Sequence, residues 1–306
     1  MDTNTSNISP EPKIGVWKGG FLLARASWWT LTLDKEMVLF PILSAVTTMI
    51  ALGVIGLISV LTGLVNLDQL GNDINTPPNF YSVKGVIFVF ISYLVIALVT
   101  NFFGASIIAS ALHRFRGNDP TISYGISEAK KHFGSIFWFS LLSATVGLVI
   151  RFLEDKFSWA GKLAAFLSDV AWAIMTLFAI PVIVDSKEPI GPITTIKKST
   201  AVFKKVWGTN FTGNIGMGVV FLLAFLLWLA ASAAIVFGLF SIYPLSIVVS
   251  VPLVTIAFIL FISITSTLSS IFQAALYHYA ITGESTLQFD KKLLRAAFKP
   301  KKGFFA

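Results

Sequence analysis

The chain has 306 residues, 55% hydrophobic and only 12% charged, and a formal net charge of +8. A soluble domain carries about a quarter of its residues as charges; here charge is missing altogether from Met37 to Leu67, Gly85 to Leu112, Phe133 to Ile150 and Val206 to Gly283, which excludes an evenly wetted globule. The lack of cysteine excludes disulfides and thiolate metal sites, and His113, His132 and His278 stand in three segments without ligand-like spacing.

A run of about 18 apolar residues can cross a bilayer as a helix, and the last run is long enough to cross twice. Lipid offers bare peptide groups no hydrogen bonds, so spanning segments are helices or closed barrels. Barrel strands alternate with period two, whereas these runs are continuously apolar, which selects helices. The predicted fold class is all-α. It is a polytopic transmembrane helix bundle of about six spans, with three interfacial amphipathic helices on the cytoplasmic side.

Residues 1–13 read as a disordered N-terminal tail and 14–283 as a single transmembrane domain. First in it, Trp17, Phe21, Ala24, Trp28 and Leu31 recur at spacings of three and four and share one helical face. The first span, about 38–65, begins too late and runs too long for a cleaved signal peptide. The second, about 84–112, carries Asn101. A second amphipathic segment then sets Ile122, Ile126, Ala129 and Phe133 on one face, with Lys130 and Lys131 turned away.

The third span, about 134–153, ends near Arg151, and the fourth, about 162–184, contains Asp169. If the turn between them centres near Ala160, both residues lie nine positions from it, and an antiparallel hairpin sets them at one depth. The third amphipathic segment lines Ile193, Ile196, Thr200, Phe203 and Trp207 on one face. Lys197, Lys198, Lys204 and Lys205 gather on the other. This is the pattern of helices in the headgroup plane, apolar side down and lysines toward anionic lipid. The last two spans, about 213–240 and 253–281, are parted by Ser241-Ile242-Tyr243-Pro244, with Pro252 expected at the start of the sixth helix. Residues 284–306 form a basic tail.

All but four of the 23 lysines and arginines fall in the N-terminal segment, the second and fourth connections and the C-terminal tail. The opposite side has Lys84, Arg151, Lys156 and Lys162. The positive-inside rule then places both termini in the cytoplasm of a multi-pass protein of the prokaryotic plasma membrane. Topology accounts for the basic balance, so no nucleic-acid role is needed. An internal repeat fits this map. Pro120 precedes Ser127 by seven residues and Pro192 precedes Ser199 by seven, each serine being followed by a lysine pair; Ser27 with Asp34 and Lys35 is a more diverged copy.

Ionisable groups within spans are functional candidates by default. For Arg151 and Asp169 two readings stay open: an intramembrane ion pair that locks the hairpin, or a proton or ion site in a cavity. Glu154 and Asp155 stand close enough in sequence to compete for Arg151. The sixth helix is polar for a spanning segment, and Ser266, Ser270, Gln273 and His278 with Asn101 outline a candidate polar path. Serine and threonine also satisfy helix carbonyls or bridge helices, which is the plainer use of such residues.

Ser27-Trp28-Trp29-Thr30-Leu31, then Asp34-Lys35-Glu36 and Phe40-Pro41-Ile42-Leu43-Ser44, resemble the start of an uncharacterised prokaryotic family of six-helix membrane proteins. Ala144-Thr145-Val146-Gly147, Ala171-Trp172, Pro181-Val182, Lys204-Lys205-Val206-Trp207-Gly208 and Ala275-Leu276-Tyr277 continue the likeness over nearly the whole chain. The resemblance implies a cell-membrane protein of a bacterium or archaeon and brings no activity, substrate, cofactor or catalytic residue.

Of the function classes, an enzyme is least supported, because membrane-embedded chemistry needs clustered His, Asp or Glu and the spans offer one Asp and a terminal His. The expectation is a non-catalytic membrane component with a scaffold, assembly or bilayer-organising role. It uses no cofactor, and its partners are the bilayer and anionic headgroups, with a protein partner or a homo-oligomer left open. The alternative is a transporter or channel for a small solute or ion that uses Asp169 and the sixth helix.

Overall fold

The computed structural model describes residues 16–63, 83–156, 159–207, 212–286 and Phe289. The predicted terminal tails lie almost wholly outside these residues. Ten α-helices follow in order: α1 (Val16–Leu33), α2 (Leu39–Leu61), α3 (Val83–Phe115), α4 (Ile122–Lys131), α5 (Phe133–Lys156), α6 (Trp159–Thr176), α7 (Ala179–Val184), α8 (Pro192–Trp207), α9 (Thr212–Ile242) and α10 (Ile247–Thr282). No strand occurs among the described residues. Six stretches are long and apolar enough to cross a membrane: Lys35–Leu61, Val83–Phe115, Phe133–Glu154, Gly161–Val184, Val220–Ile242 and Ile247–Thr282. This is an all-α, six-span architecture.

The core sits at one end of the bundle. Leu23, Leu31, Met37 and Phe40 from the first segments meet Ile107, Ile108, Ala111 and Leu112 at the end of α3, Phe178 and Val182 around α7, and Leu268 to Tyr277 on α10. A smaller cluster joins Ala105, Ala129, Ile136, Phe139, Ala179 and Ile183. Every one of these lies where spans one, three and five begin or spans two, four and six end. The three predicted amphipathic segments, α1, α4 and α8, are helices at this same end.

They pack by their small residues. On α1 the buried positions are Gly20, Leu23, Ser27, Thr30 and Leu31, seated against α9 and α10, while Phe21 and Trp28 point out. On α4 the inward positions are Gly125 and Ala129, and on α8 they are Thr195 and Ser199. Small side chains let helix backbones approach where lipid provides no hydrophobic push between helices. At Gly125 the approach leaves no room: a β-carbon there would lie 2.7 Å from Phe40 Cζ and Ser110 Oγ and 2.9 Å from the Ser106 carbonyl.

Three boundaries differ from expectation. Only a 3-10 turn, Pro244–Ser246, separates α9 from α10, and Pro252 lies inside α10. Its missing N–H leaves only the Val248 carbonyl without its usual donor, close to the helix start, so the helix runs through. The α5–α6 turn falls between Lys156 and Trp159, earlier than Ala160. Lastly, the fourth span is broken into α6 and α7 around Leu177 and Phe178.

Gly125→Ala is expected to lower stability by about 1–3 kcal/mol, the usual range for overpacking. Gly134→Ala, where a β-carbon meets open space, is the control, with thermal unfolding of the detergent-solubilised protein as the measurement.

Candidate functional site

Charged and polar side chains converge at the end of the bundle that holds the core. Arg114, in the last turn of α3, grips the Asp34 carboxylate with two nitrogens, Nε donating to Oδ2 at 2.6 Å and a terminal nitrogen donating to Oδ1. The same guanidinium donates to Asp119. Asp34 follows α1 and its side chain is only 4% exposed, whereas Asp119 is 86% exposed. The two contacts therefore differ in weight: a buried carboxylate is tolerated only with its partner in place, and an exposed pair contributes little. One turn on, Arg116 pairs with Asp185 at 2.5 Å, and the Tyr277 hydroxyl donates to the other Asp185 oxygen at 3.1 Å. Together these contacts tie the ends of the second, fourth and sixth spans to the loop before the first.

Beside them lies the break in the fourth span. Pro181 stands four residues after Leu177, so the Leu177 carbonyl lacks the N–H that a continuous helix would offer. Gln273 of α10 supplies the donor through its side-chain amide. The Phe178 N–H, released by the same break, donates to Ser199 Oγ of α8 at 3.0 Å. Ser135 of α5 accepts from the Ile190 N–H at 3.0 Å and holds the connection into α8. Each group freed by the break is thus met by a side chain from another helix, as burial away from water requires.

The candidate polar path is not assembled as one chain. Asn101 donates to Ser140 Oγ across α3 and α5 at 3.0 Å. Ser270 donates to the Ser266 carbonyl of its own helix. Gln273 serves the break, and His278 stands edge-on to Phe115 with a buried Nδ1 that has no hydrogen-bond partner among the described residues. The expected Arg151–Asp169 pair is not among the ion pairs of the described residues. Arg151 instead pairs with Glu154 on its own helix at 2.9 Å. The position of the turn explains this. Arg151 is five residues from the end of α5 and Asp169 ten from the start of α6, so at 1.5 Å per residue Asp169 lies about 7 Å deeper.

Lys130, Lys131, Lys197, Lys198, Lys204 and Lys205 are all exposed. Glu128 takes a hydrogen bond from Lys131 at 2.5 Å, and that bond raises the ammonium's pKa. At the C-terminal end of α4 burial pushes the His132 imidazole below its ordinary value. Burial also raises the Tyr124 phenol, whose ring stacks on His113 at 4.0 Å. Among the described residues no three His, Asp or Glu side chains gather as a metal site.

With this geometry in hand, comparison with known proteins adds one match. The model of a family of unknown function, DUF6159, matches residues 83–287, which is most of the chain. The chain belongs to this family. No curated protein and no solved structure matches it. The DUF6159 match takes in Arg114, Arg116, Asp185, Ser199, Gln273 and Tyr277, and it begins after Asp34 and the opening tryptophan motif. Within the matched region, the signal that sequence reading passed over is Pro181, whose missing donor marks Leu177 as a carbonyl in need of a partner.

Two measurements test the site. Arg114→Ala leaves Asp34 buried without its partner and is expected to cost about 3–5 kcal/mol, while Asp119→Ala costs less than about 1 kcal/mol, both read by thermal or chemical unfolding. Gln273→Leu is expected to cost about 1–3 kcal/mol by stranding the Leu177 carbonyl. Adding Pro181→Ala, which returns a backbone donor, recovers part of that loss.

Proposed function

We propose that this protein is a non-catalytic component of the prokaryotic plasma membrane, with both termini cytoplasmic, that binds and organises anionic lipid through the basic face of its interfacial helices. The observation that carries the reading is the division of α8: Lys197, Lys198, Lys204 and Lys205 are exposed while Thr195 and Ser199 are fully buried against the bundle. A helix held by one face and lined with ammonium groups on the other suits a surface of negative headgroups, each lysine near such a surface contributing about 1 kcal/mol. α4 adds Lys130 and Lys131 at the same end of the molecule.

The non-catalytic part of the reading is supported by how the ionic groups are used. Asp34, Asp185, Arg114 and Arg116 are engaged with each other, and the amide of Gln273 is spent on a backbone carbonyl. A transporter or channel built on Asp169 and the last helix has less support. Asn101 and Gln273 bridge helices, and Asp169 is exposed on the outside of the bundle.

Purified protein in neutral detergent is expected to gain thermal stability from phosphatidylglycerol and little from phosphatidylcholine. Converting the four α8 lysines to glutamine should weaken the phosphatidylglycerol effect by at least about tenfold in lipid concentration, and raising salt should weaken it in the native protein. An equal response of native and mutant protein, or an equal response to both lipids, would refute the reading.

A further inference from the structure

α6 carries a line of side chains that the bundle leaves uncovered. Gly161 and Ala165 are buried, whereas Lys162, Phe166, Asp169 and Ala173 are all exposed. Their spacing of four, three and four sets them along one stripe of the helix, the spacing by which one helix seats against another. Asp169 stands ten residues from the start of α6, about 15 Å along the helix axis. That depth is near the middle of a hydrocarbon layer about 30 Å thick. Phe166, Leu167 and Val170 around it are exposed as well. Acidic side chains within spans almost always face protein or water, not acyl chains. Here the chain itself offers Asp169 no ion pair among the described residues, so the covering group comes from elsewhere.

We infer that the Lys162–Phe166–Asp169–Ala173 stripe is a homodimer interface, in which Asp169 of one copy meets the partner's Asp169 within the membrane. Depth and chemistry select a second copy as the occupant. A copy inserted with the same topology brings its own Asp169 to the same level, flanked by the same apolar residues, and a two-fold axis along the membrane normal pairs like with like. Two carboxyl groups hold one proton between them, taken up from water as the pair assembles, one oxygen donating O–H and the other accepting. The pair then carries one negative charge where two separate carboxylates would carry two. Ala173, deeper along the stripe, lets the backbones approach, and the long stem of Lys162 carries its ammonium toward the near headgroups.

The chain has no cysteine, so introduced thiols report contact without background. Ala173→Cys in native membranes under mild oxidation is expected to yield a disulfide-linked dimer. Ala164→Cys, on the opposite exposed flank of α6, is expected to yield little. In the Ala173→Cys background, Asp169→Leu should lower the cross-linked fraction about tenfold, while Asp169→Asn keeps most of it, because carboxamides hydrogen-bond across helices in the same way. Thermal unfolding of the Asp169→Leu protein, expected to be unchanged or improved, reports whether the single chain remains folded. No dimer from Ala173→Cys, equal yields at positions 164 and 173, an unchanged yield with Asp169→Leu, or capture of a different polypeptide overturns the inference.

Discussion

A carbonyl that loses its donor inside a bilayer has no water to turn to. Pro181 creates such a group at Leu177, and much of the packing at the basic end follows from where the replacement comes from. Gln273 reaches across from the last span to bond it, and Ser199 takes the neighbouring N–H from the side of α8. Three segments far apart in sequence are fixed against one another by two backbone groups. The residues around the break, Phe178, Val182, Ile271 and Phe272, are buried there as well. A polar requirement and an apolar cluster thus coincide, and neither arrangement holds without the other.

The ion pairs obey a second version of the same constraint. Asp34 is buried and is met by a two-pronged guanidinium; Asp185 is half-buried and shared between Arg116 and the Tyr277 hydroxyl. Burying a charge is costly unless it is paired and hydrogen-bonded, so these contacts fix geometry more than they add net stability. They join the stretch before the first span to the ends of the second, fourth and sixth. The basic surface of α8 is attached to this same frame through Ser199 and Thr195, so a force on its lysines is transmitted to the break in the fourth span.

The spans were legible because hydrocarbon imposes a simple demand: long uncharged runs such as Gly85 to Leu112 have no other stable form. Which face of each helix packs was not legible from apolar periodicity. On α1 that periodicity picks out Phe21 and Trp28, which point outward, while Gly20, Ser27 and Thr30 make the contacts. In water the greasy face turns in; between helices in lipid the small face does. Asp169 was placed opposite Arg151 by assuming a turn at Ala160, and the shift of that turn moves the two apart in depth. Gln273 was noticed for its polarity, yet its task is set by a proline in another helix, a relation visible only once the fold brings them together.

The placement of the core has a consequence for how the protein is made. α1 and Asp34 emerge first from the ribosome, yet the surfaces that α1 packs on belong to α9 and α10, among the last segments synthesised. Contacts between such distant parts of a chain cannot form until the intervening loops have been closed. The first helix therefore has to wait near the membrane through the insertion of five spans before its seat exists. A nascent chain halted before Ile247 exposes the glycine, serine and threonine face of α1 with nothing to cover it, a state that membrane proteases and insertases are positioned to meet.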